Sequence, residues 1–269
     1  VWQQDVRVIV MLTAEQEGGQ VKAHNYWSDK RYGPLHLNPL GERRASLEPS
    51  KIYRHREQSR PTMGQRRSTN PPKLANFTKE ATTGSPSQEQ PYVTVRKFTL
   101  SNDDEPFARM REITQLQYSH WPDFGAPAHP THLLGLIEQT DAVVRSVNGG
   151  SPSQPDPPNS RPIVVHCSAG CGRTGTFCTV DSVLDMLKRQ RQARNARQNT
   201  PMDADSNHKL AKHEREDDSW VNNENIDLIA KTVEDFRLQR LSMVQSLRQF
   251  VLCYESVMEW LVEQHPKSA

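Results

Sequence analysis

No stretch of this chain is apolar for long enough to cross a bilayer. The run Val6–Leu12 falls far short of the roughly 20 residues a spanning helix needs, and no charged-then-apolar leader precedes it. No membrane span is expected. Cysteine is also scarce: Cys167, Cys171, Cys178 and Cys253 form no CxxC pair, which argues against a zinc site or a disulfide framework. A reduced compartment, cytoplasmic or nuclear, fits that usage. A large excess of one charge is missing too. The formal net charge is +2, the basic residues are not interleaved with aromatics, and no nucleic-acid motif occurs, so DNA and RNA are not expected as partners.

Apolar residues themselves are thin, at 34% of 269 positions with a mean hydropathy of −0.80, so part of the chain is expected to stay unfolded. Three stretches carry that deficit. Residues 38–90 are rich in Pro, Ser, Arg, Gln and Thr, with ten basic against five acidic residues, and read as a basic, solvated insertion. Residues 148–162, punctuated by Gly and Pro, read as a loop, and residues 189–225 mix charges around few aliphatics and read as a third insertion. What remains is one domain spanning 1–269, with disordered insertions. Helical faces are expected at Leu133, Leu136, Ile137, Val143, Val144 and Val147, and again at Leu247, Phe250, Val251, Tyr254, Val257, Met258 and Leu261.

The densest local signal is Ile163-Val-Val-His-Cys-Ser-Ala-Gly-Cys-Gly-Arg-Thr-Gly175. A β-branched run ending at His166 reads as a buried strand, and Thr176–Lys188 places Phe177, Val180, Leu184 and Leu187 on one helical face. The turn between them therefore sits at a helix N-terminus. There the N–H groups of Ser168, Ala169, Gly170, Cys171, Gly172 and Arg173 can converge on a dianion. The same field favours a thiolate at Cys167, the form that attacks. Arg173, six positions on, offers a planar fork for two phosphoryl oxygens, and the Thr174 hydroxyl is placed to steady the sulfur.

This loop resembles the signature loop of the cysteine-dependent protein tyrosine phosphatases, and other stretches extend the likeness. Trp121-Pro-Asp-Phe-Gly-Ala-Pro127, after Tyr118-Ser-His120 and about forty residues ahead of Cys167, is similar to the family's general-acid loop. The resemblance implies that Asp123 protonates the leaving phenolate. Arg237-Leu-Gln-Arg-Leu-Ser-Met-Val-Gln-Ser246 with Gln249 is similar to the glutamine loop, which implies that Gln245 and Gln249 handle the hydrolytic water. Val8–Thr13 followed by Glu17-Gly-Gly-Gln-Val-Lys22 resembles the family's strand and acidic hairpin. By that match Glu17 holds Arg173 and Lys22 approaches Asp123, with Trp121 and His166 as further supporting residues.

What the family carries over is an α/β fold around a twisted mixed sheet flanked by helices. The implied reaction is hydrolysis of phosphotyrosine in proteins through a cysteinyl phosphate, with no metal or cofactor; nothing in the pattern specifies an oligomer. Two alternatives stand beside it. One is an inactive or phosphate-binding fragment. The other is a dual-specificity or phosphoinositide phosphatase, against which stand the lysine-free loop and the glutamine segment. The chain begins at Val1-Trp2 without a counterpart of the family's Lys-Asn-Arg-Tyr type loop, and Lys30-Arg31-Tyr32, running into Gly33-Pro34, fits a later strand. An N-terminally incomplete domain with an open sheet edge and weakened activity is the expectation.

Overall fold

The computed structural model describes residues 1–48, 91–151, 153–198, 223 and 225–264. Its strands are β1 (Val8–Met11), β2 (Gln16–Glu17), β3 (Gln20–Val21), β4 (Arg31–Tyr32), β5 (Leu35–Ser46), β6 (Tyr92–Asn102), β7 (Arg111–Gln117) and β8 (Ile163–His166). Its helices are α1 (Pro130–Asn148), α2 (Gly172–Gln198), α3 (Leu228–Gln239) and α4 (Leu247–Gln264). Six strands form one mixed sheet in the order β4-β5-β6-β7-β1-β8, and β2 pairs with β3 as a separate hairpin. β1 runs parallel to both β7 and β8, while β4 through β7 are antiparallel.

Side-chain alternation sorts this sheet into two apolar faces. Val8, Val10, Val93, Val95 and Leu116 pack with residues of all four helices, whereas Ile9, Phe98, Leu100 and Ile113 pack with Trp2, Val6, Tyr26 and Trp27. β1 is buried on both faces, which is why it reads as an uninterrupted Val-Ile-Val-Met run. α1 starts on Pro130, whose missing N–H costs nothing at that position. α3 starts behind Asp227, which accepts from the N–H groups of Ile229 and Ala230 at 3.0 Å each. Among the described residues no helix is long and apolar enough to cross a membrane.

Where the chain departs from its sequence reading, solvent exposure is the common reason. The first insertion was expected from residue 38, but β5 continues to Ser46 in register with β6, absorbing Pro39 in an irregularity between Pro39 and Gly41. Most of that strand is exposed, so its polar residues show no apolar alternation; residues 49–90 lie outside the described residues. The third insertion was expected from Arg189, yet α2 runs on to Gln198 through Arg, Gln and Ala, good helix formers that need no apolar stripe. The remainder, 199–222 and 224, lies outside the described residues.

Among its described residues the loop after α1 carries no helix or strand, but it is held down. Arg145 donates to the Gln154 carbonyl at 3.0 Å and pairs with Asp156 at 2.6 Å, and the Asp156 N–H reaches Asp185 on α2 at 2.6 Å. The inward face of α4 also differs from expectation. Gln249, Leu252, Cys253, Ser256, Val257 and Trp260 are buried, while Leu247, Val251 and Met258 are exposed, so small and polar side chains share the buried face with apolar ones. β8, expected to be buried, is half-buried and hydrogen-bonded only to β1 within the sheet.

Among the described glycines the tightest site is Gly135 of α1, where a Cβ would meet the Leu47 carbonyl oxygen at 1.9 Å. Gly135→Ala is therefore expected to destabilise the fold by roughly 2 kcal/mol or more and lower Tm by about 4–8 °C. Gly41→Ala, with nothing within 4 Å, should stay within ~0.5 kcal/mol of the parent. Thermal unfolding of the two variants side by side checks both values.

Candidate active site

The site gathers at the carboxyl ends of the parallel strands, where β8 hands the chain to α2. Gly170, with φ at +70°, turns the backbone there, and α2 begins two residues later. Gly175 opens the helix by donating to the Cys171 carbonyl at 2.8 Å. Cys167 is 6% exposed, and the Thr174 hydroxyl donates to its sulfur at 3.3 Å. Burial pushes the Cys167 thiol up, but that hydroxyl together with the N–H groups of Thr174, Gly170 and Cys171 outweighs it, and the thiol lies below its ordinary range.

His166 is set by the chain of groups around it. Its Nδ1 faces the Cys167 carbonyl at 3.1 Å, so that nitrogen carries the proton, and its Nε2 accepts from the Tyr26 hydroxyl at 2.7 Å. Gln115 in turn donates to the Tyr26 oxygen at 2.8 Å. Burial lowers the His166 pKa, so the ring is held neutral in one tautomer and props the backbone at Cys167.

Arg173 is 1% exposed and joins three segments. Its Nη1 donates to Glu17 at 2.5 Å and to the Trp121 carbonyl at 2.9 Å, while Nη2 lies 3.4 Å from an Asp123 carboxylate oxygen. Glu17 is steadied by the Thr13 hydroxyl at 2.6 Å. Arg173 Nε and Nη2 are nevertheless buried without a hydrogen bond. Two donors without a hydrogen bond on a planar fork, near the N–H groups that reach the Cys167 sulfur, are an arrangement that can accept an oxyanion.

Trp121 is buried, and its indole N–H closes the next loop by donating to the Gly125 carbonyl at 2.9 Å. Gly125 is required there, since a Cβ would meet Pro122 Cγ at 2.9 Å. The turn brings Asp123 against Lys22 at 2.9 Å. That hydrogen bond, with the positive charge of Arg173 and the Phe124 N–H, outweighs partial burial and holds the Asp123 carboxyl below its ordinary range.

Gln245 and Gln249 approach from the other side. Both reach the space over Gly172, where a Cβ would lie 3.0 Å from the Gln245 Oε1 and 2.9 Å from the Gln249 Oε1. Gln249 is 1% exposed, and its Oε1 accepts from the N–H groups of Gln245 at 3.0 Å and Ser246 at 3.3 Å. One end of that side chain is thus committed to the α4 N-terminus, the capping role a glutamine takes in isolation. Ser168 and Ala169 lie exposed on the outer turn of the loop.

Cys167, Arg173, Thr174, Asp123, Glu17, Lys22, Trp121, His166, Gln245 and Gln249 therefore occupy one region. Sequence reading missed the residues that set its backbone. Arg237 donates to the Met243 and Val244 carbonyls at 3.0 and 2.8 Å, fixing Val244 at φ +58°, a strained conformation for a β-branched residue. Arg240 donates to the Ala169 carbonyl at 2.7 Å and lies 3.4 Å from the Cys171 sulfur. The arginines stood in the motif, but nothing in their spacing says that they bind main-chain carbonyls.

Over most of its length this chain is similar to known proteins. A family model described as protein-tyrosine phosphatase matches residues 1–43 and 67–202. Tyrosine-protein phosphatase 69D of Drosophila melanogaster is 26% identical over 259 residues, covering 96% of this chain and 12% of that protein. Tyrosine-protein phosphatase non-receptor type 9 of Homo sapiens is 27% identical over 270 residues, covering 97% of this chain and 31% of that protein. Tyrosine-protein phosphatase non-receptor type 18 of Mus musculus is 30% identical over 190 residues, covering 71% of this chain and 30% of that protein. The chain spans less than a third of the length of these relatives.

The balance of burial against donors at Cys167 is testable apart from any turnover. Thr174→Val removes the hydroxyl while keeping the shape, so the Cys167 pKa should rise toward the ordinary thiol value. The pH at which iodoacetate alkylation of Cys167 reaches half its limiting rate should move upward. An unmoved midpoint would show that the backbone N–H groups alone hold the thiolate.

Proposed function

The chain belongs to the protein tyrosine phosphatase family, and we propose that it hydrolyses phosphotyrosine in proteins through a cysteinyl-phosphate intermediate. The observation that carries the reading is the pair of unsatisfied buried donors on Arg173, beside a cysteine whose thiol is held below its ordinary range. A phosphoryl dianion satisfies both: its equatorial oxygens take the Arg173 fork and the loop N–H groups, leaving phosphorus in line with the Cys167 sulfur.

In the first step the Cys167 thiolate forms an S–P bond as the P–O bond to the tyrosine ring breaks, and Asp123 delivers its proton to the departing phenolate. In the second, water attacks phosphorus, its proton passes to the Asp123 carboxylate, and the P–S bond breaks to return the thiolate and release phosphate. Gln245 positions that water, and Gln249 backs it through the Gln245 N–H. Glu17 keeps the Arg173 fork oriented. Loss of that carboxylate would leave a buried guanidinium poorly paired, a defect worth roughly 3–5 kcal/mol. The four cysteines are free thiols, which fits a reducing cytoplasmic or nuclear compartment.

Two variants test the assignment. Cys167→Ser should abolish turnover of a phosphotyrosine peptide yet retain binding of tungstate, because a serine hydroxyl stays protonated while the cradle persists. Hydrolysis near the parent rate would remove Cys167 from the mechanism. The pH profile supplies the second test. Activity should rise as Cys167 loses its proton and fall as Asp123 loses its own. Both pKa values lie below their ordinary ranges, so the optimum of kcat/KM should lie on the acid side of neutrality. Asp123→Asn should lower kcat by about 10²-fold or more and abolish the alkaline limb.

A further inference from the structure

The hydroxyl of Ser246, at the start of α4, carries two hydrogen bonds that belong to different parts of the molecule. Ser246-Leu-Arg-Gln249 is a capping box: the Ser246 hydroxyl oxygen accepts from the Gln249 N–H at 3.1 Å, and Gln249 Oε1 accepts from the Ser246 N–H at 3.3 Å. Capping uses only an oxygen lone pair. The hydroxyl proton remains, and it is donated to the Phe124 carbonyl at 2.8 Å, across from the helix and on the loop that carries Asp123.

Phe124 is itself held in a conformation rare for a residue with a side chain, φ at +55°. Such a conformation persists only where its surroundings enforce it. It points the carbonyl out of the loop toward Ser246, one residue away from the carboxylate that meets Lys22 and Arg173.

We propose that Ser246 is a positioning residue that latches the 121–127 loop in place, so that Asp123 is held beside Lys22 and Arg173 by the same hydroxyl that caps the helix of the glutamine segment. The inference rests on the phosphatase reading for its catalytic meaning, though not for its structural content. The latch joins the segment that delivers the proton to the segment that places the water. Withdrawal of the loop breaks the bond at Phe124 while the cap at Gln249 survives.

Three substitutions separate latch from cap. Ser246→Thr keeps both the acceptor and the proton. Ser246→Gly removes the hydroxyl at a position where glycine caps nearly as well as serine, and Ser246→Ala removes latch and cap together. The first measurement is hydrogen exchange of the Gly125 amide, which donates to the Pro122 carbonyl at 3.1 Å inside the loop. A hydrogen bond of ordinary net worth predicts roughly 3- to 10-fold faster exchange in Ser246→Gly than in the parent or Ser246→Thr. Amides of β1 should be unchanged between the parent and Ser246→Gly, which excludes general loosening.

The second measurement compares kcat/KM for a phosphotyrosine peptide, whose leaving group needs the acid, with that for dinitrophenyl phosphate, whose leaving group does not. Ser246→Gly should lose about 3- to 10-fold on the first and little on the second, with Ser246→Thr restoring the parent ratio. Equal exchange at Gly125 in the parent and Ser246→Gly overturns the latch, whatever the activities. A parent that hydrolyses neither substrate, with exchange at Gly125 still accelerated in Ser246→Gly, overturns the phosphatase reading and leaves the latch standing. Equal losses on both substrates overturn the claim that the latch serves Asp123.

Discussion

A guanidinium that is 1% exposed is costly to leave short of partners, and two nitrogens of Arg173, Nε and Nη2, lack a hydrogen bond although Nη2 lies 3.4 Å from the Asp123 carboxylate. Glu17 from the β2–β3 hairpin and the Trp121 carbonyl from the acid loop take Nη1, which fixes the plane of the fork. Nε and Nη2 are left without a hydrogen bond, Nη2 beside the Asp123 carboxylate. Burying unmet donors costs on the order of 1–3 kcal/mol each, a cost that a folded chain bears only where something arrives to meet them. The hairpin, the acid loop and the signature loop are distant in sequence, yet all three orientations follow from this one side chain.

The other side of the pocket depends on a main-chain carbonyl. Cys171 accepts from the Gly175 N–H as the first turn of α2 closes and also from the Val244 N–H at 3.2 Å, so the helix start and the glutamine segment share an anchor. Glycine is required at 175 for that approach, because a Cβ would lie 2.4 Å from the Val244 nitrogen. Val244 adopts a left-handed conformation costing roughly 1–2 kcal/mol. The two Arg237 hydrogen bonds to its own and the preceding carbonyl are of the strength needed to hold it there. Strain at Val244 and emptiness at Gly172 are therefore parts of one arrangement that lets Gln245 reach the site.

Much of this was legible from local patterns. The strand, glycine turn and helix around Cys167 lie within a few residues of one another, and Trp121-Pro-Asp carries its turn chemistry in its own composition. Contacts that bind backbone carbonyls left no pattern: Arg237, Arg240 and Ser246 act on main-chain atoms, which every residue possesses. The S-x-x-Q spacing at Ser246 was a readable cap, but Gln249 had already been assigned to water by its motif. β5 escaped because a strand that is largely exposed can be built from Asn, Pro, Glu and Arg without apolar alternation. The buried face of α4 escaped because Gln249, Cys253 and Ser256 fill it, and polar or small residues do not register as a hydrophobic stripe.

Under the proposed mechanism, the electrostatics around Asp123 runs against the first chemical step, and that opposition would order the reaction. Lys22 and Arg173 both favour the Asp123 carboxylate, whereas a general acid must hold its proton. When a phosphoryl dianion takes the open edge of Arg173, its negative charge offsets the guanidinium that had been stabilising the Asp123 anion. Proton affinity at Asp123 then rises at the moment a leaving group is present to use it. Cys167 responds to the same arrival in the opposite sense, since a dianion beside a thiolate is repulsive, and the loop N–H groups with Thr174 must absorb that repulsion. A buried thiol held down by fixed dipoles is better suited to this than one held down by a mobile cation, because dipoles built into the backbone cannot swing away to the substrate. In the proposed mechanism the nucleophile is thus poised before binding, while the acid is armed by it.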